Sequence, residues 1–309
     1  MTTQTNITPE ESILPETELR ESRPTIDAHA VEIAATPWAL MPECIPSMLG
    51  RIAFSGREAK PVLTRGQSGS QSGAIAVLSL SGVISQHPDW FADTSIDQFS
   101  ADLMSAVNDP GVGALLISID SPGGSVYGVQ ELAGMMMAAR EQKPIVAFAN
   151  SLAASAAYWI GCSASEFFCT PGGEVGSIGV WQAHMDMSGA LEQAGIKTTL
   201  ISAGKFKTEG NPYQPLDEDA QGFMQSRVDD YYNEFVSAVA NARGVNPDAV
   251  RNGMGQGRVL GAQEARKANM IDGIMTLPQV IQRMQKKIAP NTQNRGASTR
   301  ILSHRMSIS

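Results

Sequence analysis

The chain has 309 residues, 42% hydrophobic and 17% charged, with a net charge of −8. That length and apolar content suit one large buried core or two modest ones. The acidic balance argues against a nucleic-acid surface, which needs clustered Lys and Arg. Cys44, Cys162 and Cys169 are an odd set without metal-ligand spacing to histidine, so a reducing compartment, no metal site and no cofactor are expected. No apolar run approaches the roughly 18 residues of a membrane span. The N-terminus lacks the basic-then-apolar order of a signal peptide, and the expected location is cytoplasmic.

In chain order, residues 1–30 are polar and proline-containing, with too little apolar content to fold alone. Residues 31–72 read as an arm and linker: Thr36-Pro37-Trp38-Ala39-Leu40-Met41-Pro42 is a short segment that docks on something, and residues 57–72 are Gly/Ser/Gln-rich. The folded domain spans 73–287. Ala74–Leu80 is an apolar strand, and Ile96, Phe99, Leu103, Met104 and Val107 share one helical face. Val112–Ile119 is a second strand, leaving into a Ser121-Pro122-Gly123-Gly124-Ser125 loop. Val129–Arg140 is helical, Pro144–Ala149 is a third strand, Ser155–Ala164 a helix and Glu166–Cys169 a short strand. Further strands are expected at Gly176–Trp181 and Lys197–Ser202, with a helix at Ser188–Ala194 between them. A long helix from Asp217 to Ala242, a strand-helix-strand passage over Val259–Ile274 and a closing helix over Pro278–Lys287 complete the domain. Residues 288–309 read as a disordered basic tail. Mostly apolar strands alternating with helices imply an α/β fold with a mainly parallel sheet covered on both faces.

In such sheets ligands bind at the carboxyl ends of strands, and two of those ends stand out. One is the Gly123-Gly124 segment, whose amides can face a crevice. It is not a phosphate-binding P-loop, because the Gly-Lys-Ser/Thr ending is missing. The other is Ser155, flanked by alanines where the third strand meets a helix. Taken alone, such a serine is ordinarily a helix cap. With two backbone turns side by side it becomes a nucleophile between the halves of an oxyanion hole. A serine needs a base. Of the four histidines, only His184, after the Gly176–Trp181 strand, is placed to form a Ser-His pair. The rival is a lysine of Gly204-Lys205-Phe206-Lys207. A lysine base must be neutral, which burial beside apolar groups enforces.

Ser121-Pro122-Gly123-Gly124, Ser151-Leu152-Ala153-Ala154-Ser155-Ala156-Ala157-Tyr158, Gly176-Ser177-Ile178-Gly179-Val180 and Gly204-Lys205-Phe206-Lys207 occur in that order. Together they resemble the signal peptide peptidase A family of Ser-Lys proteases, over roughly residues 74–284. The resemblance implies a ClpP/crotonase-like fold of repeated β-β-α and βαβ units and a serine endopeptidase that forms an acyl-enzyme. It implies Ser155 as nucleophile, Lys207 as general base and Ser177 as the hydroxyl that orients the lysine. The amides of Gly124 and Ala156 would form the oxyanion hole. Gly123, Ser125, Ile178 and Gly179 would contact an extended substrate strand. The Trp38 arm and Gly210-Asn211-Pro212-Tyr213 look like tailed-phage capsid-assembly proteases of the minor-capsid-protein-C type. That resemblance implies processing of scaffold and capsid proteins during procapsid assembly and head maturation, inside the host cytoplasm. Phage scaffold, capsid and portal proteins would be the partners, with a homo-oligomer and no nucleic acid or membrane. The alternative within the family is a bacterial signal peptide peptidase A-like enzyme that degrades peptides.

Three other readings compete. A Ser-His-Asp protease would use His184 and leave Lys207 unexplained. A crotonase-like acyl-CoA enzyme would share the paired amides but use no serine nucleophile. A non-catalytic head protein would keep the fold alone.

Overall fold

The computed structural model describes residues 33–48, 73–89 and 92–288, with the backbone of 301–303. Residues 1–30 lie outside it, as does the basic tail 288–309 apart from Ile288 and that three-residue strand.

The strands are β1 (Trp38–Leu40), β2 (Ala74–Ser85), β3 (Thr94–Ser95), β4 (Val112–Ser125), β5 (Ile145–Ala154), β6 (Glu166–Cys169), β7 (Glu174–Gly176), β8 (Val259–Gly261), β9 (Gly273–Ile274) and β10 (Ile301–Ser303). The helices are α1 (Ile96–Asn108), α2 (Val129–Ala139), α3 (Ala156–Cys162), α4 (Ser188–Gln193), α5 (Glu218–Arg243), α6 (Pro247–Gly253), α7 (Ala262–Lys267) and α8 (Leu277–Ile288). The sheet runs β10-β2-β4-β5-β6-β9, and every neighbour pair along that path is parallel. β1 adds antiparallel to β4, and β7 joins β5 to the antiparallel β8. The expected α/β architecture is present.

Continuous apolar strands are required because both faces are covered. In β4, Leu115, Ile117 and Ile119 enter the large core under α1, α2, α3 and α5, while Ala114 and Leu116 turn toward α8. β5 repeats the alternation, with Ile145, Ala147 and Ala149 on one face and Val146 and Phe148 on the other. In α8, Val280 and Met284 close the second face. Trp159 of α3 stacks on Phe235 of α5 at 4.6 Å, which fixes the helix behind Ser155 to the longest helix among the described residues. The Arg243 fork meets Asp272 at 2.9 and 3.1 Å, and Asp272 also accepts the Phe167 N–H.

Three expectations are corrected. The Ser121–Ser125 segment is no loop: β4 runs through it, because its glycines let neighbouring backbones come too close for any side chain. Lys197–Ser202 forms no strand despite its β-branched residues, and all six residues are exposed. Beyond Gly176 the expected strand is not formed, and the segment meets the arm through a single bridge from Trp181 to Trp38.

Candidate active site

β5 runs directly into Ser155, and α3 begins at the next residue. The turn between them is tight enough to hold Ser155 at φ 54°, ψ −119°, a left-handed conformation that non-glycine residues adopt at a cost of roughly 1–3 kcal/mol. Alanine on each side makes the turn possible: Ala153, Ala154, Ala156 and Ala157 are all fully buried, and larger side chains there would collide with packed backbone. The Ser155 N–H donates to the Gly176 carbonyl at 2.7 Å, tying the turn to β7. Although Ser155 holds the N-cap position, its side chain makes no capping bond. The hydroxyl instead points to the Gly179 carbonyl at a long 3.5 Å. The capping role expected of a lone helix-start serine is therefore not made.

Gly123 and Gly124 lie against this turn. A Cβ on Gly123 would collide with the Ala39 carbonyl oxygen and stand 2.9 Å from Ser155 Cβ. A Cβ on Gly124 would run into the Ile84 carbonyl and stand 2.7 Å from Ile84 Cα. The Gly123 N–H is taken by Ser121 Oγ, which itself donates to the Gly82 carbonyl. Ser125 Oγ accepts from Tyr127 N, so that hydroxyl is engaged in its own turn. On the other wall, Ser177 has φ 54° as well, is buried, and donates its N–H to the Arg258 carbonyl. Ile178 is buried beside it, and Gly179 contributes the carbonyl facing Ser155. Gly123 and Gly179 thus meet Ser155 directly, and Gly124, Ala156, Ser177 and Ile178 adjoin them along the chain around one cleft.

Lys207 does not join them. It sits exposed in a turn closed by its N–H to the Gly204 carbonyl. Among the described residues, no hydrogen bond connects its Nζ to Ser155 or Ser177. His184 is also apart: its Nε2 lies 3.0 Å from the Asn211 carbonyl, an acceptor that obliges this nitrogen to carry the proton. The histidine therefore braces the Lys207 loop, and its Nε2 is not presented to Ser155.

The destination of the arm was not foreseen. β1 pairs with the Gly123–Ser125 end of β4 and bridges to Trp181 across the cleft. Its sequence carries a signal for the shape though not for the partner: Pro37 and Pro42 each bias the preceding residue toward extended backbone, and Met41 adopts φ −66°, ψ 121°.

The profile of peptidase family S49 matches residues 137–290, a span holding Ser155, Ser177 and Lys207. That stretch is similar to peptidase family S49. Among S49-related proteins, the chain is 32% identical over 231 residues to Capsid assembly protease C of Escherichia phage lambda, covering 74% of this chain and 52% of that protein. It is 33% identical over 200 residues to Head-tail preconnector protein GP5 of Enterobacteria phage P21, covering 65% and 40%. It is 28% identical over 213 residues to a putative signal peptide peptidase of Enterococcus faecium, covering 67% and 62%. The chain spans about half the length of the curated relatives it matches. A solved membrane protease specific for a stomatin homolog from Pyrococcus horikoshii superposes with a TM-score of 0.45 at 15% identity, covering 76% of this chain and 94% of that one.

Proposed function

We propose that the chain is a serine endopeptidase with a Ser-Lys dyad that processes phage scaffold or capsid proteins during procapsid assembly. The observation that carries the reading is Ser155 itself. It is a left-handed serine at a sharp strand-to-helix turn, its hydroxyl unused as a cap, set against glycine backbone that no side chain could replace. In the reaction, Ser155 Oγ attacks the substrate carbonyl and its proton passes to Lys207 Nζ. The N–H groups of Gly124 and Ala156 donate to the oxyanion. The lysine returns the proton to the departing amine, and water then hydrolyses the ester by the reverse use of the same base. Ser177 orients the lysine. Gly123, Ser125, Ile178 and Gly179 would flank the substrate strand.

The lysine has to be brought to the serine, and the exposed apolar side chains support the way this happens. Ile201 (96% exposed), Phe206, Tyr213 and Phe223 all lie on or beside the Lys207 loop. An exposed apolar cluster of this kind marks an interaction surface, and we read it as the contact between copies in a homo-oligomer that orders Lys207. The first half of α5 belongs to that surface. Trp38 of the arm is buried within its own chain. Among the described residues no helix is long and apolar enough to cross a membrane, which suits action in the host cytoplasm within the procapsid. The phage relatives favour a capsid substrate over general peptide degradation of the signal peptide peptidase kind.

The domain division at 31–72 and 73–287 is part of this reading, with the second segment as the protease domain. The test is co-expression with the neighbouring head genes, wild type against Ser155→Ala, with mass spectrometry of particle proteins. New termini in the wild type alone are expected. Identical termini in both would refute the maturation role.

A further inference from the structure

The cleft is already filled. β1 lies between two backbone edges, residues 122–126 at the end of β4 and just past it, and residues 181–183. On the first edge, the Met41 N–H donates to the Pro122 carbonyl at 3.0 Å and the Val126 N–H donates to the Pro37 carbonyl at 3.3 Å. On the second, Trp38 and Trp181 exchange both backbone bonds at 2.8 and 3.0 Å, and the Ala183 N–H donates to the Ala34 carbonyl. Side chains reinforce it: Trp181 Nε1 donates to the Leu40 carbonyl and Gln182 Nε2 to the Ala35 carbonyl.

The register locates one residue of the arm against the reacting groups. In an antiparallel ladder, pairs that exchange bonds alternate with pairs that do not. Bonds at 37/126 and 41/122 make Ala39 and Gly124 the bonded pair between them. The Ala39 carbonyl is thereby the acceptor of the Gly124 N–H, and the same oxygen is the atom a Gly123 Cβ would strike, beside Ser155. Side chains alternate with the backbone. Trp38 and Leu40 pack with Ile33, Met48 and Val83, whereas Ala39 turns the other way into the main core. Ser155 is 1% exposed and Ala39 0%. No peptide can reach this serine while the arm is in place.

We propose that residues 37–41 are a pseudosubstrate: an intrachain strand in the groove that a substrate strand would use, with Ala39 where the residue presenting the attacked carbonyl would stand. The inference rests on the reading of Ser155 as nucleophile. The folded chain is closed, it opens when the arm is displaced, and the groove takes an extended peptide with a small side chain at the central position.

The test uses the full chain in a Ser155→Ala background, where nothing is turned over, and a fluorescent peptide of residues 34–43. Two forms release the arm. One carries Trp38→Ala with Leu40→Ala. The other keeps every arm side chain but has a protease site inserted between residues 60 and 70, cut after folding and diluted. The peptide is expected to bind at least one released form tenfold or more tightly than the uncut chain. Exchange of the Gly124 and Trp181 amides should accelerate tenfold or more, while β2 amides from Ile75 to Leu80 stay protected. Equal peptide binding in all forms, or unchanged exchange at Gly124 after the cut arm has left, overturns the proposal. A fluorophosphonate applied to the Ser155 forms separates the two readings. Faster Ser155 labelling on arm release supports both. A released groove that binds peptide beside a serine that never labels refutes the nucleophile and leaves the pseudosubstrate standing.

Discussion

The strain at Ser155 can be isolated by comparing two substitutions that both remove the hydroxyl. Ser155→Ala keeps a Cβ and so keeps the cost of φ 54°, ψ −119°, roughly 1–3 kcal/mol for a non-glycine residue. Ser155→Gly relieves that cost but adds backbone freedom to the unfolded chain, worth about 0.4–1 kcal/mol against it. The difference leaves the glycine variant more stable than the alanine variant by about 0.5–2 kcal/mol, a rise in Tm of roughly 1–8 °C for a domain of this size. Urea denaturation and scanning calorimetry on the two variants measure it directly. A glycine variant equal to or less stable than the alanine variant would refute the claim that the turn is strained, and with it the argument that Ser155 is held there for chemistry.

Lys207→Ala should lower kcat/KM by about 10²–10⁴, the usual contribution of a general base, while leaving the unfolding free energy within about 0.5 kcal/mol of wild type because the side chain is exposed. His184→Ala should keep activity within a few-fold, and the reverse pattern in a peptide assay would restore the Ser-His reading. Gly124→Ala drives a Cβ into the Ile84 backbone and should cost about 1–3 kcal/mol, read as a shift in urea midpoint without change in slope. Burial alone would raise the Asp272 carboxyl, but the Arg243 fork and the Phe167 N–H outweigh it and hold the group below its ordinary value. Its stabilisation is therefore complete above the unfolded carboxylate value and lost as pH falls through the lower folded one. Asp272→Asn should flatten the acid limb of a stability profile, and parallel limbs would refute this. Burial pushes the Cys162 thiol up to about 12, and burial with Glu174 nearby pushes Cys169 to about 11. Both should react with Ellman's reagent only on unfolding, so two fast thiols in the native protein would contradict the packing.

The parallel sheet was legible because β4 and β5 are apolar on both faces, and α5 because Asp217 caps it and Gly244 ends it. The Pro-Gly-Gly stretch misled, since residues that favour turns also serve where three backbones crowd together. Here Ile84, Ala39 and Ser155 press on two glycines from separate parts of the chain, a long-range fact invisible to local pattern. Lys197–Ser202 misled in the opposite sense: its β-branched residues favour a strand, but among the described residues it pairs with no strand. Motif order singled out Ser155 and the Gly123-Gly124 segment as neighbours, and the structure puts them side by side. The distance of Lys207 from them was not legible, because the sequence does not say how a loop of mixed polar and apolar residues is packed.

Proline at position 37 has a consequence for how the groove chooses between strands. Pro37 and Pro122 have no N–H, so each end of the arm's ladder on β4 makes one bond where two could form. At the Pro122 end the missing donor belongs to the groove and is missing for every occupant. At the other end it belongs to the arm, and the Val126 carbonyl is left with a long 3.4 Å bond from the Val129 N–H. An incoming strand with any residue but proline opposite Val126 gains that hydrogen bond, about 0.5–1.5 kcal/mol, or roughly two- to tenfold in a direct exchange. The occupant is one bond short of its replacement, and the advantage goes to peptides without proline two residues before the small side chain.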